Sequence, residues 1–391
     1  MSRCVWNRKG NYYGKLFAGG VANKRNSNIE LLKVFAIIMI VLSHAIPKAG
    51  LAEFPHQGII DISMATRNIQ QIVAVIFAYL GQIGNAVFIV CSAWFLVDDN
   101  TFKLPKAISI ILDCFVISVL MLGLFLMLGY EISTKMIIRQ FMPTILGTNW
   151  FVTTYLLLYA IHPYLNKVLH GTNQKEHFCI NLALFVFYCI GAMLKDSLLY
   201  FNKLLGFVVL YFFVAYMKKY MKWYTGSKKA NVVTLALGIT ILALMVLLTN
   251  YLGLYVPFLR NKVTMWCKFW NPAIIALAIS AFNLASGKVF VNKTINYISS
   301  LSLLVLCFHA NPFMLLYFRY DFFSYIFVNF SYESFVAWML LFATCLMIFG
   351  FLMSLVYKNT IQRVTSKLGR ELGNNCKRSL SMIFEKFNNV R

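Results

Sequence analysis

The sequence predicts an all-α fold: a polytopic membrane helical bundle of about ten transmembrane helices with both termini cytoplasmic. Three observations carry this. Of 391 residues, 60% are hydrophobic and only 13% are charged, about half the charged share of a soluble domain. Ten apolar segments of roughly bilayer-spanning length follow one another between turn residues. Lys and Arg alternate in density from loop to loop, as the positive-inside rule demands.

The first span, at about 29–46, ends at Pro47. The second, 72–96, runs into Asp98-Asp99-Asn100, and Pro105 opens the third, 107–129. Pro143 and Gly147 precede the fourth, 150–166, which holds Pro163 in its last turn. The fifth and sixth are 178–194 and 198–217, and the seventh is 231–253. Asn271-Pro272 opens the eighth, 270–285, and the ninth and tenth are 297–317 and 334–357. The N-tail, even-numbered loops and C-tail together carry 25 Lys and Arg, against 9 in the odd-numbered loops. Odd spans therefore run outward. Topology accounts for the net charge of +23 and excludes a nucleic-acid-binding role as its explanation; the basic cytoplasmic face can also attract phosphates.

Three regions follow. Residues 1–27 form a basic cytoplasmic N-terminal tail with Arg3, Arg8, Lys9, Lys15, Lys24 and Arg25 and no signal-type apolar core. Residues 28–357 form the membrane domain. Residues 358–391 form a basic cytoplasmic C-terminal tail in which Ile361, Val364, Leu368 and Leu372, then Leu380, Ile383, Phe384 and Phe387, repeat at helical spacing. An amphipathic helix on the membrane surface and a disordered basic tail both fit that pattern. Nine cysteines without a C-x-x-C pair, and six histidines without a ligand spacing, predict neither a disulfide framework nor a metal site.

Ionisable residues inside spans are expensive and mark function by default. Lys33 and His44 lie eleven residues apart on the first span. Eleven steps of 100° fall within about 20° of three turns, so both share one face, about 16 Å apart along the axis. Lys33 lies near the cytoplasmic edge and His44 near the outer edge. Glu30 precedes Lys33 by one turn and can pair with it; Ser92 and Asp113 reach the same inner level, giving a cluster of Glu30, Lys33, Ser92 and Asp113. Asp113 as a structural counter-ion of Lys33, and either residue touching substrate, are equally open. Toward the outer side lie Trp150, Tyr155 and His309. Gln82 and Asn85 sit midway along the second span, between the two clusters. Lys203 reads as a snorkelling side chain.

These segments resemble the acyltransferase 3 family, integral membrane enzymes that acylate extracytoplasmic glycans. The family pattern on the first span is an acidic residue, three residues on an Arg, then ten residues and a His; here it reads Glu30, Lys33 and His44, with Lys where the family has Arg. The flank Asn26-Ser27-Asn28-Ile29-Glu30-Leu31-Leu32 is similar to the surface-polysaccharide O-acetyltransferase branch. Gly81 through Leu96 is similar to the second-span segment, with Ala93 in place of Gly after Ser92. Trp150 through Tyr155 to Asn166 resembles the fourth span, and Ser302 through His309 and Pro312 the late Ser-to-His segment. The likeness covers roughly residues 25–357 in order.

The resemblance implies a membrane O-acyltransferase, most simply an O-acetyltransferase of the plasma membrane. Its donor would be cytoplasmic acetyl-CoA and its acceptor a hydroxyl of an extracytoplasmic polysaccharide or lipid-linked glycan, with no metal. On that reading His44 is general base or acyl carrier, Lys33 orients or neutralises charge where the donor enters, and Lys218, Lys219, Lys222, Lys228 and Lys229 hold CoA phosphates. A buried cation and imidazole are also what a lipid-linked sugar flippase or transporter would show, and a glycan polymerase or ligase is a further alternative.

Overall fold

A computed structural model of the chain describes residues 25–48, 60–191 and 202–388. Most of the N-terminal tail, part of the 47–71 loop and the junction of the fifth and sixth expected spans lie outside the described residues.

Fourteen α-helices of seven residues or more among the described residues position everything that follows. They are α1 Ser27–His44, α2 Ile69–Leu96, α3 Leu104–Met127, α4 Thr134–Phe141, α5 Trp150–Gly171, α6 Gln174–Ala183 and α7 Asn202–Tyr220. Then come α8 Lys228–Tyr255, α9 Pro272–Ser286, α10 Lys293–Ser299, α11 Ser302–His309, α12 Arg319–Asn329, α13 Phe335–Thr360 and α14 Gln362–Asn388. No strand occurs among the described residues.

Side-chain caps set most of the starts. Asn26 accepts from the Asn28 amide at 3.0 Å and Asn68 from the Gln70 amide at 2.8 Å. Asn173 and Glu176 close a reciprocal capping box on α6, and Asn271 caps α9 with Pro272 in its first turn. A helix segment stands in each of the ten expected spans. By length and hydropathy, five (α1, α2, α3, α8 and Tyr332–Thr360) are able to cross a membrane on their own, or six if the bent pair Lys293–His309 and Phe313–Asn329 counts as one span. α9 is apolar but only 15 residues long, and the second half of α5 carries His162, Asn166, Lys167 and His170, which lowers its hydropathy.

Packing around α1 places the site. Gly84 lets α2 approach closely, since a Cβ there would stand 2.6 Å from the Ala36 carbonyl oxygen; Gly81 likewise faces Ser43. This contact brings the Ala78–Gln82 stretch of α2 beside the last turns of α1. On its other side α1 runs parallel to α10 and α11: Ser27 hydroxyl donates to Asn296 at 2.8 Å, Ser299 reaches Glu30, and His44 meets His309. The chain then breaks at Ala310-Asn311-Pro312, bends by 62°, and resumes as the π-helical turns Phe313–Phe318 before α12. Pro312 explains the break, because it has no amide donor and its ring collides with the preceding turn. Asn311 stitches the break by accepting from the Phe313 amide at 3.0 Å and donating to Gln140.

The C-terminal segment is a helix docked on protein. α14 packs along α3, with Gly369 and Gly373 against Ser109 and Pro105. Val364, Leu368 and Leu372 are exposed at helical spacing beside Arg363 and Lys367. Of the apolar repeat read from the sequence, Leu380, Ile383, Phe384 and Phe387 have side chains outside the described set.

Candidate active site

His44, at the last turn of α1, and His309, at the last turn of α11, face each other with His44 Nδ1 3.0 Å from His309 Nε2 and ring centroids 5.1 Å apart. His309 is fully buried, whereas His44 keeps part of its surface open. The hydrogen bonds fix the tautomers. His309 Nδ1 lies 2.6 Å from the Val305 carbonyl oxygen, so Nδ1 carries the proton and donates, leaving Nε2 a bare acceptor in the neutral ring. His44 Nδ1 must then donate to it. The relay Val305 carbonyl, His309, His44 ends on His44 Nε2, which holds an unshared lone pair. No third His, Cys, Asp or Glu joins the pair as a ligand set among the described residues.

Arg319, the first residue of α12, is also buried, and its Nη1 donates to the His44 carbonyl oxygen at 2.9 Å. This satisfies an orphan carbonyl at the C-terminus of α1 and puts positive charge at the negative end of the helix dipole. The sequence reading left Arg319 in an outer loop between the ninth and tenth spans. Only the break at Pro312 and the π turns after it return that loop to the protein interior, and nothing local in the sequence signals it. Lys48, four residues after His44, lies within electrostatic range of both His44 and Arg319. Burial pushes its ammonium below the ordinary lysine range, and Arg319 adds to that shift.

The N-terminal end of α1 is built differently. Glu30 is buried; its Oε1 accepts from Lys33 Nζ at 2.8 Å and its Oε2 from the Ser299 hydroxyl at 2.5 Å. Asp113 is equally full. Tyr357 hydroxyl at 2.9 Å and Thr365 hydroxyl at 2.5 Å donate to Oδ1, and Gln362 Nε2 at 3.1 Å donates to Oδ2. The counter-ion of Lys33 is thus Glu30 and not Asp113. A carboxylate that hydrogen-bonds α13 and α14 is already neutralised by donors and serves to dock the C-terminal helix. Ser92, on α2, is partly buried.

The other expected residues separate by what they touch. Trp150 stacks on Phe269 (centroids 6.2 Å) and receives Lys203 Nζ 4.6 Å above its ring. Tyr155 stacks on Tyr159 at 6.1 Å. Both belong to an aromatic layer rather than to the histidine pair. Among the loop lysines, Lys218 donates to Asp98 and to the Trp94 carbonyl oxygen, each at 2.5 Å, and Lys219 to the Leu169 carbonyl oxygen at 3.2 Å. These two tether helix ends. Lys222, Lys228 and Lys229 are exposed.

A cavity of about 270 Å³ opens at Lys48, beyond the C-terminal end of α1. Lys48, Asp61, Gln82, Thr264, Cys267 and Lys268 contribute to its wall. Gln82 therefore lines a space, as its position midway along the second span allowed.

A family model described as an acyltransferase domain matches residues 26–363, which includes Glu30, Lys33, His44, His309 and Arg319. No curated protein and no solved structure matches the chain.

Proposed function

The chain belongs to the acyltransferase 3 family and is an acyltransferase, and from that premise we propose that it is a plasma-membrane O-acetyltransferase. It moves acetyl from cytoplasmic acetyl-CoA to a hydroxyl of an extracytoplasmic glycan. In this reading the ten helical segments form a multi-pass domain, residues 28–357, with both basic tails cytoplasmic. The Lys33 end of α1 faces the donor side and the His44 end faces the acceptor.

One observation carries the chemistry: His44 is oriented by His309 so that only Nε2 remains free. A neutral imidazole with one nitrogen tied down by a hydrogen-bonded partner is the arrangement a general base requires. Nε2 takes the proton of the sugar hydroxyl as its oxygen attacks the thioester carbonyl. The CoA thiolate leaves, and the proton on Nε2 is released to it. His309 is a positioning residue, because its side chain contacts His44 and not the acceptor. Lys33, held by Glu30, supplies localised positive charge toward the donor, and exposed Lys222, Lys228 and Lys229 supply it for CoA phosphates. Lys33 presents a point charge where the family's Arg presents a fork, which suits electrostatic attraction better than bidentate grip.

The test is glycan acetylation in cells. Mass spectrometry of surface polysaccharide from cells with this protein should show an acetyl in place of a hydroxyl hydrogen, and the mark should vanish with His44→Ala. Full acetylation by His44→Ala would overturn the assignment. Incubating the protein with labelled acetyl-CoA and no acceptor separates the two histidine roles: a base leaves the protein unlabelled, and an acyl-imidazole carrier does not.

A further inference from the structure

Three faces of α14 differ in chemistry. Thr365, Gly369 and Gly373 make the docked face: the Thr365 hydroxyl donates to Asp113 at 2.5 Å, Gly369 packs on Ser109 and Gly373 on Pro105. Each turn forward on α14 meets one turn back on α3, so the two helices run antiparallel in close contact. α3 is apolar and long enough to cross a membrane on its own. The first turns of α14 therefore lie level with the first turns of a spanning helix and not below it.

The second face is apolar and open. Val364, Leu368 and Leu372 are exposed at every fourth residue. On α13, also long and apolar enough to span, Ile348, Leu352 and Val356 are exposed with the same spacing. The backbone between them stays helical, the Ile361 amide donating to the Tyr357 carbonyl at 2.9 Å and the Thr365 amide to the Ile361 carbonyl at 3.2 Å. The open stripe of α13 thus continues into α14. The third face is basic: Arg363, Lys367 and Arg370 are exposed, Lys377 and Arg378 follow, and Glu371 is the only acidic residue from Gln362 to Met382. Residues 1–24 are basic without one acidic residue, so like charge disfavours them as a cover for this helix.

We propose that the outward surface of α14 binds anionic phospholipid of the cytoplasmic leaflet. Val364, Leu368 and Leu372 rest against acyl chains, and Arg363, Lys367 and Arg370 reach the phosphate headgroups while their stems cover apolar surface. A run of basic side chains directly after a spanning helix is the arrangement that attracts acidic lipid. The leaflet named here rests on the multi-pass reading with cytoplasmic tails; the lipid chemistry rests on α14 itself.

The test places a benzophenone photoprobe at Leu368 of the full chain, held in nanodiscs of phosphatidylglycerol and phosphatidylcholine in equal amounts. Irradiation should join the probe to lipid. Phosphatidylglycerol adducts should outnumber phosphatidylcholine adducts about fivefold or more, the scale of one basic side chain at an anionic surface. Combining Arg363→Gln, Lys367→Gln and Arg370→Gln should bring the ratio near one, and high salt should lower it in the unaltered background. Thermal unfolding of each variant checks that it is folded, and a probe at Val364 replaces any at Leu368 that is not. Adducts to residues 1–24 or to a second copy of the chain in place of lipid overturn the proposal. So does an equal lipid ratio in the unaltered background, or a triple variant that keeps the preference. Both leaflets of a nanodisc have the same composition and acetyl transfer is not read. The result therefore stands or falls separately from the cytoplasmic tails and from the acetyltransferase reading.

Discussion

The two ends of α1 hold ionisable groups in opposite states of satisfaction. At the Lys33 end both carboxylates are satisfied: Glu30 takes Lys33 and Ser299, and Asp113 takes Tyr357, Thr365 and Gln362. At the His44 end the relay through His309 stops at a nitrogen with no hydrogen-bond partner among the described residues, and Arg319 donates to the His44 carbonyl oxygen. Buried polar groups that are fully hydrogen-bonded lock packing. Those left open retain the capacity to bind or react. On the proposed reading, α1 is one rod whose His44 end is its chemical head and whose Glu30 and Asp113 carboxylates are its structural foot.

The largest effect that would break this contrast is at the head. His44→Ala should lower acetyl transfer by about 10²–10⁴-fold, the usual contribution of a general base, while leaving the thermal unfolding midpoint near wild type. A variant that instead unfolds and retains activity per folded molecule would make His44 part of the scaffold. At the foot the expectation reverses. Asp113→Ala strands the Tyr357, Thr365 and Gln362 donors and should cost about 2–3 kcal/mol of stability, read as a lowered unfolding midpoint, with transfer per folded molecule within a few-fold of wild type. Normal stability with lost transfer would erase the distinction.

Smaller effects sharpen it. His309→Ala should reduce kcat by about tenfold with little change in KM, because it frees the His44 ring without removing it. His309→Gln, which can still accept from His44 Nδ1, should recover part of the loss, and the pH–rate profile should shift only in the alanine variant. Lys33→Arg keeps the charge opposite Glu30 and should leave transfer within about twofold. A large loss there would show that the geometry of the inner cation matters and not its sign. Smallest of all, Lys203→Ala forfeits an interaction with the Trp150 ring worth about 0.5–1 kcal/mol, seen as a slight drop in unfolding midpoint with unchanged transfer.

Much of the head was legible from α1 alone. An imidazole eleven residues from a cation on an apolar helix follows from periodicity and membrane cost, and Glu30 beside Lys33 follows from helical spacing. His309 was legible as a histidine in an apolar segment ending before Asn311-Pro312, but not as the partner of His44, since 265 residues separate them. Arg319 was misplaced for a definite reason: hydropathy ends a span at a charged residue, and nothing local says that the chain after Pro312 turns back inward. Asp113 was left open between counter-ion of Lys33 and substrate contact, and the structure gives it Tyr357, Thr365 and Gln362 as partners. Depth along a helix is a one-dimensional quantity, and α14, which supplies two of its donors, lies in the segment that was divided between an amphipathic and a disordered reading.

What the sequence determined by itself is whatever depends on neighbours along the chain: the helical segments, the alternating basic loops, the caps at Asn26, Asn68 and Asn173, and the shared face of Lys33 and His44. The tertiary structure alone decided which polar groups would be satisfied. Hydrogen-bond partnership depends on contacts between helices distant in sequence, set here by close approach at Gly81 and Gly84 and by the break at Pro312. On the proposed reading, the same side-chain types therefore hold packing in one place along α1 and carry chemistry in another.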